Sequence, residues 1–141
     1  MRYADTCLLV SLFLRDVGTE AALEWIQGAG SAPVALSHWS MTEFASAVGM
    51  RARAGHIDEN THGQALARFR RFVATRLTLL APDAADFDHA GRLLERYASG
   101  LRAGDALHLA ICANRGLNLH SADKGFVRAA IRLGLAAELV A

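Results

Sequence analysis

The chain has 141 residues, of which 52% are hydrophobic and 21% charged, and its formal net charge is +1 at pH 7. This composition is typical of one globular domain with a sizeable core, here residues 1–141, and it excludes a disordered chain. The near-neutral charge provides no overall basic field that would attract nucleic acid by itself. Of the 15 basic residues only Lys124 is a lysine. Arginine suits phosphate groups, but genome composition explains this bias equally well.

The cysteines and the apolar N-terminal run indicate the cellular compartment of the protein. Cys7 and Cys112 lie in apolar surroundings without a C-x-x-C motif, so we expect both to be reduced, buried and unreactive. The run CLLVSLFL closely follows Asp5 and lacks a small-residue cleavage site, which argues against a signal peptide. No apolar run approaches the roughly 20 residues that span a bilayer. We therefore expect a cytoplasmic protein without a membrane segment.

Compact apolar runs alternate with longer amphipathic segments along the chain, and the two patterns predict strands and helices respectively. The predicted strands are RYAD (2–5), APVALSH (32–38), LTLLAP (77–82), GLNLHSAD (116–123) and AELVA (137–141). The predicted helices cover residues 6–16, 19–30, 40–55, 58–76, 83–100, 104–115 and 124–135. This alternation predicts an α/β fold, in which a mostly parallel sheet carries helices on both faces.

Four acidic residues fall at one edge of this predicted sheet. Asp5 ends the first strand and Asp123 ends the fourth. Glu43 lies in the first turn of the predicted helix after the second strand, and Asp105 opens the helix that leads into the fourth. Because the helices run back antiparallel to the strands, all four positions meet at the carboxyl edge, where ligands bind in such folds.

Each of these acids also has a simple structural explanation as a helix cap. Ser40 and Glu43 match the S-x-x-E capping box, with Ser40 as the N-cap. Asp105 suits the positive end of its helix, and Asp5 and Asp123 can cap the helices that follow them. Three further acids have polar neighbours and are interpreted only as solvated caps: Asp58, Asp83 and Asp86.

The apolar neighbours of the four edge acids favour a metal site over four separate caps. Carboxylates that share a partly dry pocket repel each other, and their pKa values rise unless a cation joins them. An all-oxygen ligand set without cysteine favours Mg²⁺ or Mn²⁺. Such a site suits phosphodiester hydrolysis, because a bound divalent ion activates water and stabilises the leaving oxygen. In that chemistry Asp5 or Asp123 could also orient the attacking water.

Four segments of the chain, in this order, resemble the motifs of PIN-domain ribonucleases, and specifically of VapC-type toxins from toxin–antitoxin pairs. They are YADTCLLVSLFL with Asp5, LSHWSMTEFASAV with Glu43, LRAGDALHLAIC with Asp105, and LHSADKGF with Asp123. One match alone is weak, whereas the four together, in order and with this spacing, are a strong signal over nearly the full length. Cys7 departs from the usual Ser or Asn at its position, which we expect to weaken a supporting hydrogen bond without removing a ligand.

The resemblance implies a three-layer α/β/α sandwich whose five-stranded parallel sheet has the order 3-2-1-4-5, with Asp5 beside Asp123. It implies an endoribonuclease that cleaves RNA such as tRNA or rRNA, forms homodimers and is inhibited by a VapB-type antitoxin peptide laid across the site. It implies Mg²⁺ or Mn²⁺ bound by four acids with two supporting hydroxyl residues. The acids are Asp5, Glu43, Asp105 and Asp123, and the supporting residues are Thr6 and Ser121.

Several basic and aromatic side chains could contact such an RNA. Arg102 and Lys124 lie close in sequence to Asp105 and Asp123, where they could touch the scissile phosphate. Arg51 and Arg53 belong to an arginine cluster in the third and fourth predicted helices, which a solvated helix face explains equally well. Trp39 could stack on a base, although a place in the core is the simpler interpretation. His108 shares a helix face with Asp105, and we expect it to bond to a neighbour and not to bind a metal.

Two other functions stay open at this point. A catalytically silent PIN-like module would bind RNA or a partner protein without cutting, and the intact set of acids argues against it. A phospho-accepting receiver domain also uses strand-end acids and Mg²⁺, but its middle strand must end in an Asp. The third predicted strand here ends in Ala81-Pro82, which makes this function the weakest of the three.

Overall fold

The computed structural model describes all 141 residues, Met1–Ala141. Its strands are β1 (Arg2–Ala4), β2 (Val34–Ser37), β3 (Thr78–Leu80), β4 (Asn118–Ser121) and β5 (Ala137–Leu139). They form one parallel sheet in the order β3-β2-β1-β4-β5, which confirms the predicted fold class and strand order. The helices are α1 (Thr6–Phe13), α2 (Thr19–Gly28), α3 (His38–Arg53), α4 (Glu59–Arg76), α5 (Ala84–Glu95), α6 (Ala103–Arg115) and α7 (Lys124–Arg132). None of these helices combines the length and apolar character needed to cross a membrane.

Alternate residues of the central strands face opposite helical layers. Tyr3 is buried in the cluster under α5, α6 and α7, whereas Ala4 is buried in the cluster formed with α1 to α4. In β2, Ala35 faces the first of these layers, and Val34 and Leu36 face the second. This is the two-residue period of a strand, and a parallel sheet buried on both faces requires apolar residues on both sides. The sheet is therefore the middle of three layers.

Side-chain caps fix where the helices begin, and one predicted start is wrong. Asp58 caps α4 as predicted, since its carboxylate accepts a backbone N–H three residues later at 2.7 Å. Ser40 does not cap α3: the helix begins at His38, and Ser37 is its N-cap. Ser40 Oγ accepts the backbone N–H of Ser37 at 3.1 Å, so these two serines form the capping box. Glu43 is consequently the sixth residue of α3, outside the first turn and free of any capping duty.

Asp86 belongs to the capping box of α5, so it is a cap as predicted, but the prediction that it is solvated is wrong. Its carboxylate is fully buried and accepts two N–H groups from Arg115, at 2.8 Å and 2.9 Å. Asn114 donates to it at 2.8 Å, and the backbone N–H of Asp83 donates at 2.9 Å. Because α5 packs against α6, the last side chain of α6 reaches the first turn of α5. The polar neighbours of Asp86 in sequence are therefore a poor guide to its burial.

The strand order brings the ends of β1 and β4 together. Ala4 is paired with His120, and the backbone N–H of Asp5 donates to the carbonyl of His120 at 2.9 Å. Both strands end within one residue of this point, and α1 and α7 begin just beyond it. Asp5 and Asp123, which precede these two helices, therefore lie on the same edge of the sheet.

Candidate active site

Asp5 is the most enclosed of the predicted acids. Its side chain is the N-cap of α1, and Oδ1 accepts the backbone N–H of Thr6 at 2.7 Å. Oδ2 accepts from Ser121 Oγ at 2.6 Å and from the thiol of Cys7 at 3.1 Å. Cys7 thus takes part in the bonding that was expected to weaken, and burial followed by the nearby Asp5 charge raises the pKa of its thiol to about 12. A protonated thiol that donates to Asp5 supports the carboxylate and does not replace it.

Glu43 is tied to Asp5 through Thr6. Thr6 Oγ1 donates to Glu43 Oε1 at 2.7 Å. His108 Nε2 also donates to Oε1 in a short contact, because a carboxylate can only accept. Partial burial acts to raise the pKa of Glu43, but the hydrogen bonds and charge of His108 and the bond from Thr6 outweigh it and lower that pKa. No hydrogen bond in the structure engages the second oxygen, Oε2.

A series of buried hydrogen bonds holds His108 at Nδ1, the ring nitrogen that does not contact Glu43. Its Nδ1 lies 2.7 Å from the hydroxyl of Tyr3, which in turn donates to Ser37 Oγ at 2.9 Å. All three side chains are buried, so each bond is shielded from competing water. The N-cap of α3, the first strand and the middle of α6 thereby fix the orientation of the imidazole that bonds Glu43. His108 bonds to a neighbouring side chain, as expected.

Asp105 is the third residue of α6 and lies at the same edge. Its Oδ2 is 3.5 Å from the backbone N of Arg102, a weak version of the expected capping contact. Burial is the main cause that raises the pKa of Asp105, and the negative charge of Asp5 raises it further. The charge of Asp5 therefore acts on Asp105 across this edge.

Asp123 occupies a more exposed position beside this group. Its Oδ1 accepts the backbone N–H of Phe126 at 3.0 Å, which makes it the N-cap of α7. Its own backbone N–H donates at 3.0 Å to Ser121 Oγ, the same hydroxyl that donates to Asp5. Asp123 also lines a cavity of about 220 Å³ together with Asp105. The structure thus joins all four predicted acids through shared partners or a shared cavity.

Two openings flank the acids, and each contains arginine. The 220 Å³ cavity includes Arg102, one of the predicted RNA contacts, and Arg132 from the end of α7, for which the sequence carried no signal. A larger cavity of about 630 Å³ runs between α1 and α3, with Glu43 in its wall and Arg51 at its far side, where Arg51 pairs with Asp16 at 3.1 Å. The other two proposed RNA contacts, Arg53 and Lys124, line neither of these cavities.

The carboxylate groups at this edge are of the chemical type that binds a hard divalent cation. The four acids offer carboxylate oxygens at one edge, which is the ligand type that Mg²⁺ and Mn²⁺ prefer. Burial, and to a smaller extent the negative charge of Asp5, raises the pKa of Asp105, and a bound cation would favour the ionised carboxylate against both effects. The indole N–H of Trp39, which is buried near Glu43, has no hydrogen-bond partner. However, no group of three or more His, Cys, Asp or Glu side chains is already arranged to hold a metal ion, so binding requires side-chain movement.

Several residues of the site were not predicted, and they share one property. Tyr3, Ser37 and Arg132 reach the site only through contacts between distant parts of the chain. The D-x-x-H spacing was the one local signal, and it pointed to His108. Gly104, the residue before Asp105, also carried no signal in the sequence, although it packs directly on Glu43 and Trp39.

The fold and this edge define a class of protein: an α/β/α fold whose parallel sheet carries acidic side chains just beyond the neighbouring strands β1 and β4. The chain belongs to the PIN domain family, which matches residues 2–132. No curated protein sequence matches it significantly.

Solved structures similar to this chain share its fold at low sequence identity. A chain of VapBC2 from Rickettsia felis, bound to a DNA fragment from its promoter, has a TM-score of 0.74 and 17% identity, over 99% of this chain and 98% of that one. FitAcB from Neisseria gonorrhoeae gives a TM-score of 0.74 and 17% identity, over 97% and 96%. VapC20 from Mycobacterium tuberculosis, a toxin that cleaves the sarcin–ricin loop, gives 0.72 and 18%, over 92% and 95%.

Proposed function

We propose that this protein is a Mg²⁺- or Mn²⁺-dependent endoribonuclease that acts as the toxin of a type II toxin–antitoxin pair. The observation that carries the proposal is the bonded set at the sheet edge: Asp5 shares Thr6 with Glu43 and shares Ser121 with Asp123. A structural role as helix caps accounts for Asp5 and Asp123 singly, but it does not account for their links to each other and to Glu43. Similar folds in toxins, one of which cleaves the sarcin–ricin loop, support the same function.

In this proposal the residues at the edge of the sheet have three different roles. Asp5, Glu43, Asp105 and Asp123 would hold the divalent ion, which when bound supplies an activated water and stabilises the leaving oxygen. Thr6 and Ser121 hold the carboxylates of Glu43 and Asp5 in place through hydrogen bonds of 2.7 Å and 2.6 Å. Arg102 and Arg132, on the cavity wall beside Asp105, would contact backbone phosphates and offset the repulsion between RNA and the acids.

The proposed partners are a VapB-type antitoxin, a second copy of the chain and an RNA such as tRNA or rRNA. The 630 Å³ cavity between α1 and α3 opens beside Glu43 and provides room for a peptide next to the acids. Chains with this fold occur in the VapBC2 and FitAcB structures, which supports an antitoxin partner. Coexpression with the product of an adjacent small gene, followed by copurification, tests this part of the proposal.

A catalytically silent PIN-like module is the second candidate. The observation that favours it is the lack of any set of three ligands that already converges. A binding module needs the arginines and the cavities but does not need four intact acids. The silent module would bind RNA or a partner protein, and only the first candidate predicts new RNA ends.

The test is cleavage of structured RNA by the purified protein with Mg²⁺ or Mn²⁺ and with EDTA, followed by sequencing of the RNA ends. Asp5→Asn and Asp105→Asn remove one negative charge each at nearly constant volume, so we expect cleavage to fall to the EDTA level while circular dichroism stays unchanged. Asp88→Asn is the matched control, because Asp88 is exposed on α5 and lines neither cavity beside the four acids. Metal-independent cleavage, or full activity in either edge variant, overturns the proposed mechanism. RNA binding without cutting supports the silent module.

A further inference from the structure

We propose that Gly104 is a positioning residue for Glu43, because its missing side chain leaves the space in which the carboxylate of Glu43 stands. The inference rests on the proposed function in one respect, the role of Glu43 as a metal ligand. A Cβ built on Gly104 would lie 2.9 Å from Glu43 Oε2, closer than carbon and oxygen can approach without displacement. It would also lie 3.3 Å from Trp39 Nε1, within the same small space.

The backbone conformation of Gly104 gives no other reason for glycine at this position. Gly104 is the second residue of α6, and its φ is not positive, unlike that of Gly100 or Gly116. Glycine has a lower helix propensity than alanine, so helix formation gives no preference for glycine at this position. The side chains of Glu43 and Trp39 on α3 occupy the space beside Gly104, so glycine at this position leaves the carboxylate of Glu43 undisplaced.

The carboxylate of Glu43 can move away from an added methyl group only at the expense of its own hydrogen bonds. Its Oε1 is held by Thr6 and His108, and the imidazole of His108 is held in turn by Tyr3. Rotation of the carboxylate away from residue 104 therefore breaks or bends these bonds. The atom that meets the methyl group is Oε2, which has no hydrogen bond and lies against the residue next to Asp105. Oε2 is thus the oxygen of Glu43 that is available to a cation shared with Asp105.

Gly104→Ala should consequently weaken metal binding and leave the stability of the fold nearly unchanged. The clash falls on the end of a flexible side chain, which can move without disturbing the backbone. The fold should survive with a melting temperature close to that of the wild type. We expect the affinity for Mn²⁺ to fall by about tenfold or more, the size of effect typical for residues that orient metal ligands. The same displacement should shift the imidazole resonances of His108, whose Nε2 contacts Glu43.

The experiment measures three properties of the full chain: thermal unfolding in EDTA, Mn²⁺ affinity by calorimetry, and the His108 imidazole signals by NMR without metal. The matched control is Gly63→Ala, because Gly63 lies inside α4 and a Cβ there meets nothing within 4 Å. Gly63→Ala should leave both Mn²⁺ affinity and the His108 signals unchanged.

The possible results distinguish this inference from the proposed function. Gly104→Ala with wild-type His108 signals and wild-type Mn²⁺ affinity overturns the positioning role, and so does an unfolded Gly104→Ala variant. If the wild-type chain binds no Mn²⁺ and cuts no RNA, the proposed function fails. In that case the His108 signals still decide whether Gly104 positions Glu43.

Discussion

His120 shows how a single buried side chain can make stability depend on pH. It is 2% exposed, and its Nδ1 accepts the indole N–H of Trp25 at 3.0 Å. Because an indole only donates, Nδ1 carries no proton and the imidazole is neutral, with its hydrogen on Nε2. That Nε2 is buried without a partner. Burial is the main cause that lowers the pKa of His120 from its ordinary 6.5, and the cationic Arg2 and N-terminus lower it further against the opposing effect of Glu138.

The first prediction concerns this group. The unfolded chain takes up a proton at His120 below about pH 6.5 while the folded chain resists it, so stability falls as the pH drops through that value. His120→Gln keeps an acceptor for Trp25 and removes the titration. We expect urea unfolding at pH 7.5 and 5.5 to show a loss smaller by about 1 kcal/mol in this variant than in the wild type. His56→Gln, at an exposed histidine, is the control, and an equal loss in His120→Gln contradicts the assignment.

Among the secondary-structure elements, α5 and α6 are joined by the ion pair between Asp86 and Arg115. The two side chains form two parallel hydrogen bonds, and Arg115 also donates to the carbonyl of Ala81 at 3.2 Å. Burial acts to raise the pKa of Asp86, but the bonds from Arg115, the Asp83 backbone and Asn114 outweigh it and hold that pKa at about 2. Asp105 lies at the start of α6 and Arg115 at its end. The ion pair therefore helps to position a site residue at the opposite end of the same helix.

The second prediction is that Arg115→Met destabilises the fold by about 3 kcal/mol, because it leaves the buried carboxylate of Asp86 without its charge partner. Arg92→Met, at an exposed arginine on α5, should change stability by less than about 0.5 kcal/mol. In the wild type, the stabilisation by ionised Asp86 is present above about pH 4 and is lost as the pH falls towards 2. Denaturant unfolding at pH 7 and pH 3 measures both effects. A variant with wild-type stability at pH 7 would mean that Asp86 is neutral in the fold.

The elements also show which parts of the structure were predictable from local sequence. The alternation of apolar runs and amphipathic segments predicted all five strands and seven helices in the right order, because burial imposes periods that are visible in a few residues. The start of α3 was not predictable, because Ser37 and Ser40 are both good N-caps and the end of β2 decides between them. The burial of Asp86 was hidden too, since its partner lies 29 residues away.

For the whole molecule, the sheet order matters more than any single residue. Parallel strands in the order 3-2-1-4-5 bring the ends of β1 and β4 together, and acids separated by more than a hundred residues meet there. The resemblance to PIN-domain ribonucleases, carried by the order of the motifs, implied this strand order and the meeting of Asp5 with Asp123. The sequence did not indicate how the carboxylates are held. The hydrogen bond between Tyr3 and His108 joins residues 105 positions apart, and the one between His108 and Glu43 joins residues 65 positions apart. Such bonds depend on side chains of β1, α3 and α6 that only the folded chain brings together.

The third prediction follows from the charge that this arrangement concentrates. Folding raises the pKa of Asp105, so its ionised form opposes folding, and stability is lost as the pH rises from about 4 through that raised value. At pH 7 in EDTA, we expect Asp105→Asn to be more stable than the wild type by up to about 1 kcal/mol. An asparagine oxygen still accepts the Arg102 N–H, so the helix start is kept.

Added Mn²⁺ should reverse this order of stability. A ligand that binds only the folded chain stabilises it by about 2.7 kcal/mol at a hundred times its dissociation constant. The wild type should gain this stability, whereas Asp105→Asn, with one ligand oxygen and one charge fewer, should gain little. Thermal unfolding of both proteins, and of Asp88→Asn as the control, in EDTA and in a Mn²⁺ series measures the reversal. If Asp105→Asn is the less stable protein in EDTA, Asp105 is chiefly a helix cap, and the repulsion that a cation would relieve is not what governs this edge.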